Sequence, residues 1–308
     1  MATIAHTISK VLPKPVANGL RPLWHRLRDL TKFVIAQGGR LAYDGKIGEW
    51  VASRSFDGRR LYVVVRSFQE FRRFHQFGMF ADDIVQHWMR WIEDCEVLYD
   101  IGSANGLEGF YINHLHRGRI VFVEPFTPSV ETILKTICVI ETRHDSARGF
   151  EVVQAACDVE PTYQRLYMHG GPIPGVTNNS FAHLEEYDRG GRQDRPVVVS
   201  QWVPSISLDS LHWTYGLPLA THVKIDIDGF EDRAMRGATR LLESGNVKSW
   251  AIEINGQENL KEIGELMEGH GYRDVASWEH YPEHPDYAAD HIYVQAELVP
   301  AWRKFTET

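Results

Sequence analysis

The sequence predicts an α/β fold in which a mostly parallel sheet is covered by helices on both faces. Three observations lead to this fold class. Strand and helix patterns alternate from about residue 95 to residue 297, the strand patterns are short apolar runs, and the first run opens through glycines into a helical stripe. Such alternation is typical of parallel sheets, whose strands are apolar on both faces. The 308 residues are enough for one large domain with an appendage.

Seven apolar runs predict the strands of this sheet. Five predict parallel strands and two predict a closing pair, and they cover residues 96–101, 119–123, 150–155, 222–227, 249–254, 272–277 and 291–295. Apolar residues recur at helical spacing between these runs. Gly245 and Gly271 follow two of the helical stripes, where glycine commonly ends a helix.

A small extension precedes the sheet. Residues 49–56 and 60–65 have the pattern of a β-hairpin with Asp57 and Gly58 at its turn, and aromatic helical stripes follow up to residue 92. The chain is therefore divided into three parts. They are a basic helix, hairpin and lead-in helices over 1–94, a main domain over 95–297 and a C-terminal tail over 298–308.

Composition and charge exclude several classes of protein. Apolar residues make up 43% and charged residues 24%, which excludes collagen-like and wholly disordered chains. A net charge of -8 has the wrong sign for a broad nucleic-acid-binding face, so we expect no nucleic-acid partner. The three cysteines have no metal-ligand spacing, and their odd number argues against a secreted disulfide framework. No apolar run is long enough for a membrane helix or a signal peptide. Both observations predict a cytoplasmic location.

The first 32 residues differ from the rest, because they carry six Lys or Arg and one Asp. Leucines and Trp24 recur at helical spacing beside these cations. One interpretation is a helix that attaches to the anionic inner face of a membrane or to a protein partner. The other is an N-terminal helix packed on the body with a solvated basic face.

Residues 169–196 are rich in glycine, proline and asparagine and predict a long irregular loop. Such a loop inside a compact domain is usually functional or disordered. We interpret it as a lid on the acceptor side, with an insertion of no role as the alternative.

The strongest local signal is the segment Asp100-Ile-Gly-Ser-Ala-Asn-Gly106, a buried strand that turns through glycines into a helix. Such a turn lets a ligand approach the backbone at the carboxyl edge of the sheet. Glu124 ends the next strand, where it can accept hydrogen bonds from ribose hydroxyls. Together these features predict a cofactor that contains adenosine.

The acid before the turn narrows the choice of cofactor. A carboxylate at Asp100 repels a pyrophosphate but suits a ligand with an ammonium and a sulfonium. A dinucleotide-binding turn also prefers glycine where this chain has Ala104. These observations favour S-adenosylmethionine. Asp100 either contacts the ligand or supports the turn.

Four motifs together resemble the FkbM family of S-adenosylmethionine-dependent methyltransferases. They are the glycine turn, Val123-Glu-Pro125, Ser207-Leu-Asp-Ser-Leu211, and Lys224-Ile-Asp-Ile-Asp-Gly-Phe-Glu231 with the following Gly-Ala, over about residues 91–295. The resemblance implies a Rossmann-like class I methyltransferase fold with a seven-stranded sheet. It also implies methylation of hydroxyls on sugars, glycans or secondary metabolites. Ser103 and Asp228 depart from the family's usual Ala and Glu.

The resemblance also implies a set of cofactor-binding residues. They are Asp100, Gly102, Ser103, Ala104, Asn105, Gly106, Glu124 and Asp158. Asp158 either reaches the adenine amine or serves as a loop or cap residue. Asn179 and Ser180 could contact the cofactor or the acceptor from the loop.

Asp226 ends the fourth strand and is the first candidate for a base or acceptor-positioning group. Lys224 and Asp228, with Glu231 and Glu253, would surround it. Alternatively, Lys224 and Glu231 pair with neighbouring charges, and Asp228 caps the next helix. Asp209 is assigned to a helix start without chemistry.

We expect no metal. The lower-ranked alternative is Mg²⁺ held by Asp226, Asp228 and Glu253, because hard cations prefer oxygen ligands. Four histidines are expected on or near the rim of the site, namely His169, His183, His222 and His291.

The resulting prediction is an O-methyltransferase that acts on a small-molecule or glycan acceptor. N- or carboxyl-methylation, a nicotinamide-linked oxidoreductase and a non-catalytic cofactor-binding scaffold are the alternatives.

Overall fold

The computed structural model describes residues 39–56, 58–77, 84–143, 149–169, 171–175, 179–181, 197–280 and 288–307. The basic stripe over 1–32, Asp57, His183 and most of the 169–196 loop lie outside these residues. Among the described residues, no helix is long and apolar enough to cross a membrane.

The N-terminal extension is a three-stranded antiparallel sheet followed by two helices. Its elements are β1 (Arg40–Asp44), β2 (Glu49–Phe56), β3 (Arg59–Val65), α1 (Phe68–Gln76) and α2 (Ile84–Trp91). The predicted hairpin is β2 with β3. Strand β1 was not predicted, because most of its residues are exposed and it shows no apolar alternation; pairing with β2 defines it.

The first half of the main sheet alternates strands and helices. Its elements are β4 (Val97–Ile101), α3 (Leu107–His116), β5 (Arg119–Val123), α4 (Thr127–Arg143) and β6 (Phe150–Val153). These three strands pair in parallel. Their apolar runs satisfy the requirement that both faces of a parallel sheet be buried.

A second, four-stranded sheet follows, in the order β7-β10-β8-β9. Its strands are β7 (Ala156–Cys157), β8 (Tyr163–Met168), β9 (Asn179–Phe181) and β10 (Val199–Ile206). The expectation of an irregular loop throughout 169–196 is wrong at β9, which pairs antiparallel with β8. Three residues are too few for a strand pattern in the sequence, so only this pairing identifies the strand.

The remaining elements complete the main sheet. They are α5 (Leu208–Trp213), β11 (His222–Ile225), α6 (Glu231–Arg236), α7 (Thr239–Glu243), β12 (Ser249–Asn255), α8 (Gln257–Gly269), β13 (Tyr272–Glu279), β14 (Ala288–Gln295) and α9 (Val299–Thr306). The segment predicted as a tail thus contains helix α9, and its Trp302 is buried.

The main sheet has seven strands in the order β13-β14-β12-β11-β4-β5-β6. The five consecutive strands from β12 to β6 pair in parallel, and in the whole sheet only β14 runs against the others. One apolar cluster packs α2, α3 and α4 on one face, and another packs α5 to α8 on the opposite face. The predicted Rossmann-like α/β class is confirmed. The division into domains stays a prediction.

Candidate active site

A cleft of about 210 Å³ lies at the carboxyl ends of β4, β5, β11 and β12. The main sheet contributes Gly102, Ala104, Glu124, Lys224, Asp226, Asp228 and Glu253 to its lining. Apolar side chains around the second sheet contribute the other wall, including Phe126, Leu166, Phe181 and Phe230. The cleft therefore joins a charged surface to an apolar one. This is the edge at which open α/β sheets bind ligands.

The glycine turn after β4 makes close backbone contact with the end of β11. Gly102 has a φ of +73°, and a Cβ atom there would lie 1.9 Å from the backbone oxygen of Asp226. The amide of Asp226 also donates to the carbonyl of Ile101 at 3.1 Å. Only glycine combines this φ with this approach, so Gly102 determines the distance between the turn and Asp226.

Ser103 faces the sheet. Its hydroxyl donates to the carbonyl of Asp100 at 2.6 Å and accepts from the amide of Val123 at 3.0 Å. Its side chain is buried, and Ser103 is not among the residues that line the cleft. The hydroxyl therefore joins β4 to β5, which leaves the predicted cofactor contact of this side chain without support.

The rest of the turn divides into lining and supporting residues. Ala104 lines the cleft with a φ of +50°. Asn105 is buried, and Gly106 has a φ of +76°; neither is among the lining residues. A Cβ atom at Gly106 would lie 2.8 Å from the ring of Phe110. Because Gly106 has no side chain, helix α3 can begin in close contact with the ring of its own Phe110.

The carboxylate of Glu124 connects the glycine turn to the segment that follows β5. Its Oε2 accepts from the amide of Ala104 at 2.7 Å, and its Oε1 accepts from the amide of Phe126 at 2.9 Å. Burial raises the pKa of Glu124 to about 7 despite these two bonds. A carboxylate has about four acceptor positions, so it can still accept hydroxyl donors from a ligand.

Asp100 lies behind the cleft. Its side chain is fully buried, and neither carboxyl oxygen has a hydrogen-bond partner among the described residues. The nearest cation is the Nζ of Lys224, 4.0 Å from Oδ1, and burial raises the pKa of Asp100 to about 7. This position outside the cleft lining favours support of the site over contact with a ligand.

Lys224 and Asp226 form the central ion pair of the cleft, with 3.4 Å between Nζ and Oδ2. Burial opposes the charge of Lys224, but Asp226, Glu108 and Asp100 outweigh it and raise its pKa. Burial likewise opposes the charge of Asp226, but Lys224 and Arg73 outweigh it and lower its pKa. The Asp226 side chain is 43% exposed. It therefore presents an ionised carboxylate to the cleft at neutral pH.

Asp228 lines the cleft on a strained turn, with a φ of +57°. It does not cap α6, because the residue before that helix is Phe230. Glu231 is fully buried and supports this turn, since its Oε1 accepts from the amides of Ile227 at 3.3 Å and Gly229 at 3.0 Å. Glu231 thus acts on the position of Asp228 and not directly on the cleft.

The Glu231→Gln variant should gain stability over the wild type as pH rises. Gln keeps an oxygen for both backbone amides, and the unpartnered Oε2 is replaced by the neutral NH₂ of a carboxamide. Burial raises the pKa of Glu231 to about 8, above the unfolded value near 4.5. The stability contributed by the protonated acid is complete below pH 4.5 and is lost as pH rises through 8.

We expect the difference in unfolding free energy to change by roughly 3 to 5 kcal/mol between pH 5 and pH 9, in favour of the variant. Urea unfolding at pH 5, 7 and 9 measures it. A difference that is independent of pH would show that Glu231 is ionised throughout.

Asp158 has a partner other than a ligand. Arg233 donates to its Oδ1 from Nε at 2.8 Å and to its Oδ2 from Nη2 at 3.0 Å. Asp158 is buried and is not among the lining residues, whereas its neighbour Cys157 is. The loop-residue alternative fits this arrangement, and the adenine contact has no support.

The three expected rim histidines that the structure describes, His169, His222 and His291, do not line the cleft. His222 begins β11, at the end of that strand opposite the cleft, and its Nδ1 lies 2.8 Å from Ser249 Oγ, so its assignment to the rim is wrong. His291 on β14 contacts Asp274, with 2.7 Å between Nδ1 and Oδ2. His169 is buried with its Nε2 3.2 Å from Ser180 Oγ, so Ser180 serves an internal contact.

Three residues that line the cleft lie outside the four sequence motifs. Arg73 comes from α1 and Glu108 from α3, and neither was predicted. Arg73 lies in the extension before the main domain, so no spacing in the sequence points to it. Asn179, suggested from the loop, does line the cleft, and its buried Oδ1 has no hydrogen-bond partner among the described residues.

Comparisons with known proteins give likeness only in solved structures. No family model matches the chain, and no curated protein matches it. One similar structure is the methyltransferase FkbM from Methylobacillus flagellatus KT, with a TM-score of 0.44 and 16% identity. The match covers 64% of this chain and 44% of that one, so this chain spans less than half of that protein's length.

Two further structures are similar at lower scores. M. capricolum TrmK in complex with S-adenosylhomocysteine has a TM-score of 0.36 and 8% identity, over 70% of this chain and 68% of that one. The B. subtilis M1A22 tRNA methyltransferase TrmK has a TM-score of 0.38 and 11% identity, over 70% and 65% of the two chains. Likeness at this level does not establish an activity.

Proposed function

We propose that this protein is an S-adenosylmethionine-dependent methyltransferase. The observation that carries the proposal is the convergence of three predicted features on one cleft. The turn at Gly102 and Ala104, the carboxylate of Glu124 and the carboxylate of Asp226 come from three different strands and line the same 210 Å³ space.

The charges of the cleft suit this cofactor. Five carboxylates line it, those of Glu108, Glu124, Asp226, Asp228 and Glu253, against the cations of Lys224 and Arg73. An excess of carboxylates favours an ammonium and a sulfonium over a pyrophosphate. Gly102 has no side chain, so the cofactor can approach its backbone closely. Glu124 has acceptor positions left for the ribose hydroxyls. When bound, the cofactor supplies an electrophilic methyl group.

The chain's own residues would position the acceptor. Alignment of a nucleophile can supply about 7 to 11 kcal/mol of a barrier. Asp226 accepts a hydrogen bond from an acceptor hydroxyl and takes its proton as the hydroxyl attacks. Because Lys224 lowers the pKa of Asp226, this carboxylate is a weak base, and orientation of the hydroxyl contributes more than early proton removal.

We propose a hydroxyl of a sugar, glycan or secondary metabolite as the acceptor. The proposal rests on the resemblance in sequence motifs and on a net charge of -8, which disfavours a polyanion. An RNA acceptor is the competing outcome, since a tRNA methyltransferase is among the similar structures. A screen with methyl-labelled cofactor against glycan intermediates and against tRNA separates the two. If the label appears in tRNA alone, the proposal that the acceptor is a hydroxyl of a sugar, glycan or secondary metabolite is rejected.

The Glu124→Gln variant should bind S-adenosylhomocysteine about 10- to 100-fold more weakly than the wild type at pH 8. The substitution removes a charge and places the side-chain NH₂ group of Gln, a donor, against the backbone N–H of Ala104 or Phe126. Loss of a charge-assisted bond costs about 1.5 to 3 kcal/mol, and 1.4 kcal/mol is tenfold. Isothermal titration calorimetry measures the affinity.

Two controls accompany this titration. Glu262→Gln removes an exposed carboxylate that pairs with Arg236 outside the cleft, and it should bind like the wild type. At pH 6 the effect of Glu124→Gln should shrink, because the pKa of Glu124 is about 7 and the wild type is then largely protonated. Binding of NAD(H) in place of S-adenosylhomocysteine would replace this proposal with an oxidoreductase.

Cytoplasmic location, attachment of residues 1–32 to a membrane or protein, and the lid role of the loop remain predictions.

A further inference from the structure

Three side chains of metal-ligand type meet beside the cleft, at the edge of the main sheet. They are Glu253 on β12, Asp290 on β14 and His280 immediately after β13. His280 Nε2 lies 3.0 Å from Asp290 Oδ2 and 3.9 Å from Glu253 Oε2. One ligand atom from each residue lies within 4.8 Å of the other two. Among the described residues, this is the one such cluster of three.

The sheet itself places two of these acids against each other. Glu253 and Asp290 are direct partners in the antiparallel register of β12 and β14. Like charges directly opposite each other destabilise a sheet. The two side chains are only 15% and 14% exposed, so water screens their repulsion poorly. The carboxylates of Asp226 and Asp228 add to the negative potential at Glu253. A proton or a cation between the two acids relieves this repulsion, and His280 lies close enough to both acids to share in holding a metal ion.

We propose that Glu253, His280 and Asp290 form a binding site for a divalent transition-metal ion of the Zn²⁺ type. Zn²⁺ binds imidazole nitrogen and carboxylate oxygen at about 2.0 to 2.2 Å, so two ligands of one ion lie at most about 4.4 Å apart. The two measured separations from His280 meet this limit. A nitrogen ligand favours Zn²⁺ over Mg²⁺, which prefers oxygen alone.

The site differs from the oxygen-only set of Asp226, Asp228 and Glu253 considered from the sequence. Only Glu253 belongs to both sets, and it lines the cleft. An ion at Glu253 therefore lies at a wall of the cleft, where open coordination positions can take an oxygen ligand. The nitrogen of His280 that contacts Asp290 must lose its proton when the ion binds. The inference does not depend on the proposed function.

The test uses the full chain, freed of metal with a chelator and titrated with ZnCl₂ alone in the absence of any nucleoside. We expect the wild type to take up one Zn²⁺ per chain at this site. His280→Ala and Asp290→Asn should each weaken this binding at least about tenfold. Asp274→Asn is the matched control, because Asp274 on β13 pairs with His291 on β14 and is not one of the three clustered residues. It should bind Zn²⁺ like the wild type.

Absence of Zn²⁺ uptake by the wild type, or unchanged uptake by folded His280→Ala, would overturn the inference. Circular dichroism establishes that each variant is folded. If the variants do not fold, crystals of the wild type soaked in ZnCl₂ decide the question. An anomalous peak among His280 Nε2, Glu253 and Asp290 supports the site, and a peak elsewhere or none rejects it.

Discussion

Asp226→Asn is expected to lower the rate of methyl transfer by about 10²-fold, the low end of the range for a placed base, because the lowered pKa of Asp226 makes it a weak one. Asn keeps the size of the side chain and one oxygen, but it cannot take the proton of an attacking hydroxyl. It also removes the carboxylate that lies 3.4 Å from Lys224. Once the acceptor has been identified by the labelled-methyl screen, single-turnover transfer to it measures the effect.

Cofactor affinity separates catalysis from binding in this experiment. Asp226→Asn should bind S-adenosylhomocysteine within about threefold of the wild type, a difference below 1 kcal/mol. Asp232→Asn is the control, because Asp232 pairs with Arg236 outside the cleft and should transfer methyl groups at the normal rate. A wild-type rate in Asp226→Asn would show that this carboxylate has no essential ionised role.

Gly102→Ala is expected to destabilise the fold by roughly 2 to 5 kcal/mol and to abolish measurable binding of S-adenosylhomocysteine. A left-handed conformation costs an alanine about 1 to 2 kcal/mol, and overpacking typically costs a further 1 to 3 kcal/mol. The added Cβ would lie 1.9 Å from a backbone oxygen, which cannot rotate away as a side chain can. Urea unfolding and calorimetry measure the two effects.

Gly216→Ala separates the two causes. Gly216 has a nearly identical φ of +70°, but a Cβ atom there meets nothing within 4 Å. It should lose only about 1 to 2 kcal/mol and retain cofactor binding. If Gly102→Ala proves no more harmful than Gly216→Ala, then close approach to Asp226 is not what the turn requires.

The features that the sequence predicted well are those encoded locally. Strands β2 and β5 have the predicted bounds, and the seven apolar runs became the seven strands of the main sheet. Because parallel strands end at one edge, residues at three strand ends, Gly102, Glu124 and Asp226, could be assigned to one cleft from chain order alone. Periodicity and glycine turns depend on neighbours within a few residues.

Asp209 shows where local reasoning fails. Its position in Ser207-Leu-Asp-Ser-Leu211 suggests the start of α5, but Ser207 caps that helix. The carboxylate of Asp209 instead accepts the amides of Arg240 at 2.9 Å and Leu241 at 2.8 Å, at the start of α7. A short carboxylate caps whichever free amides the fold brings to it.

The sequence by itself determined the α/β class, the main sheet and the candidate residues at its carboxyl edge. Only the tertiary structure decided which of these residues face the cleft. The reason is that each side chain is oriented by contacts with residues that are distant in the sequence. Arg233 engages Asp158, the strand β5 engages Ser103, and Arg73 enters the cleft from the extension. Hydrogen bonds and charge pairs act over a few ångströms in space, irrespective of separation along the chain.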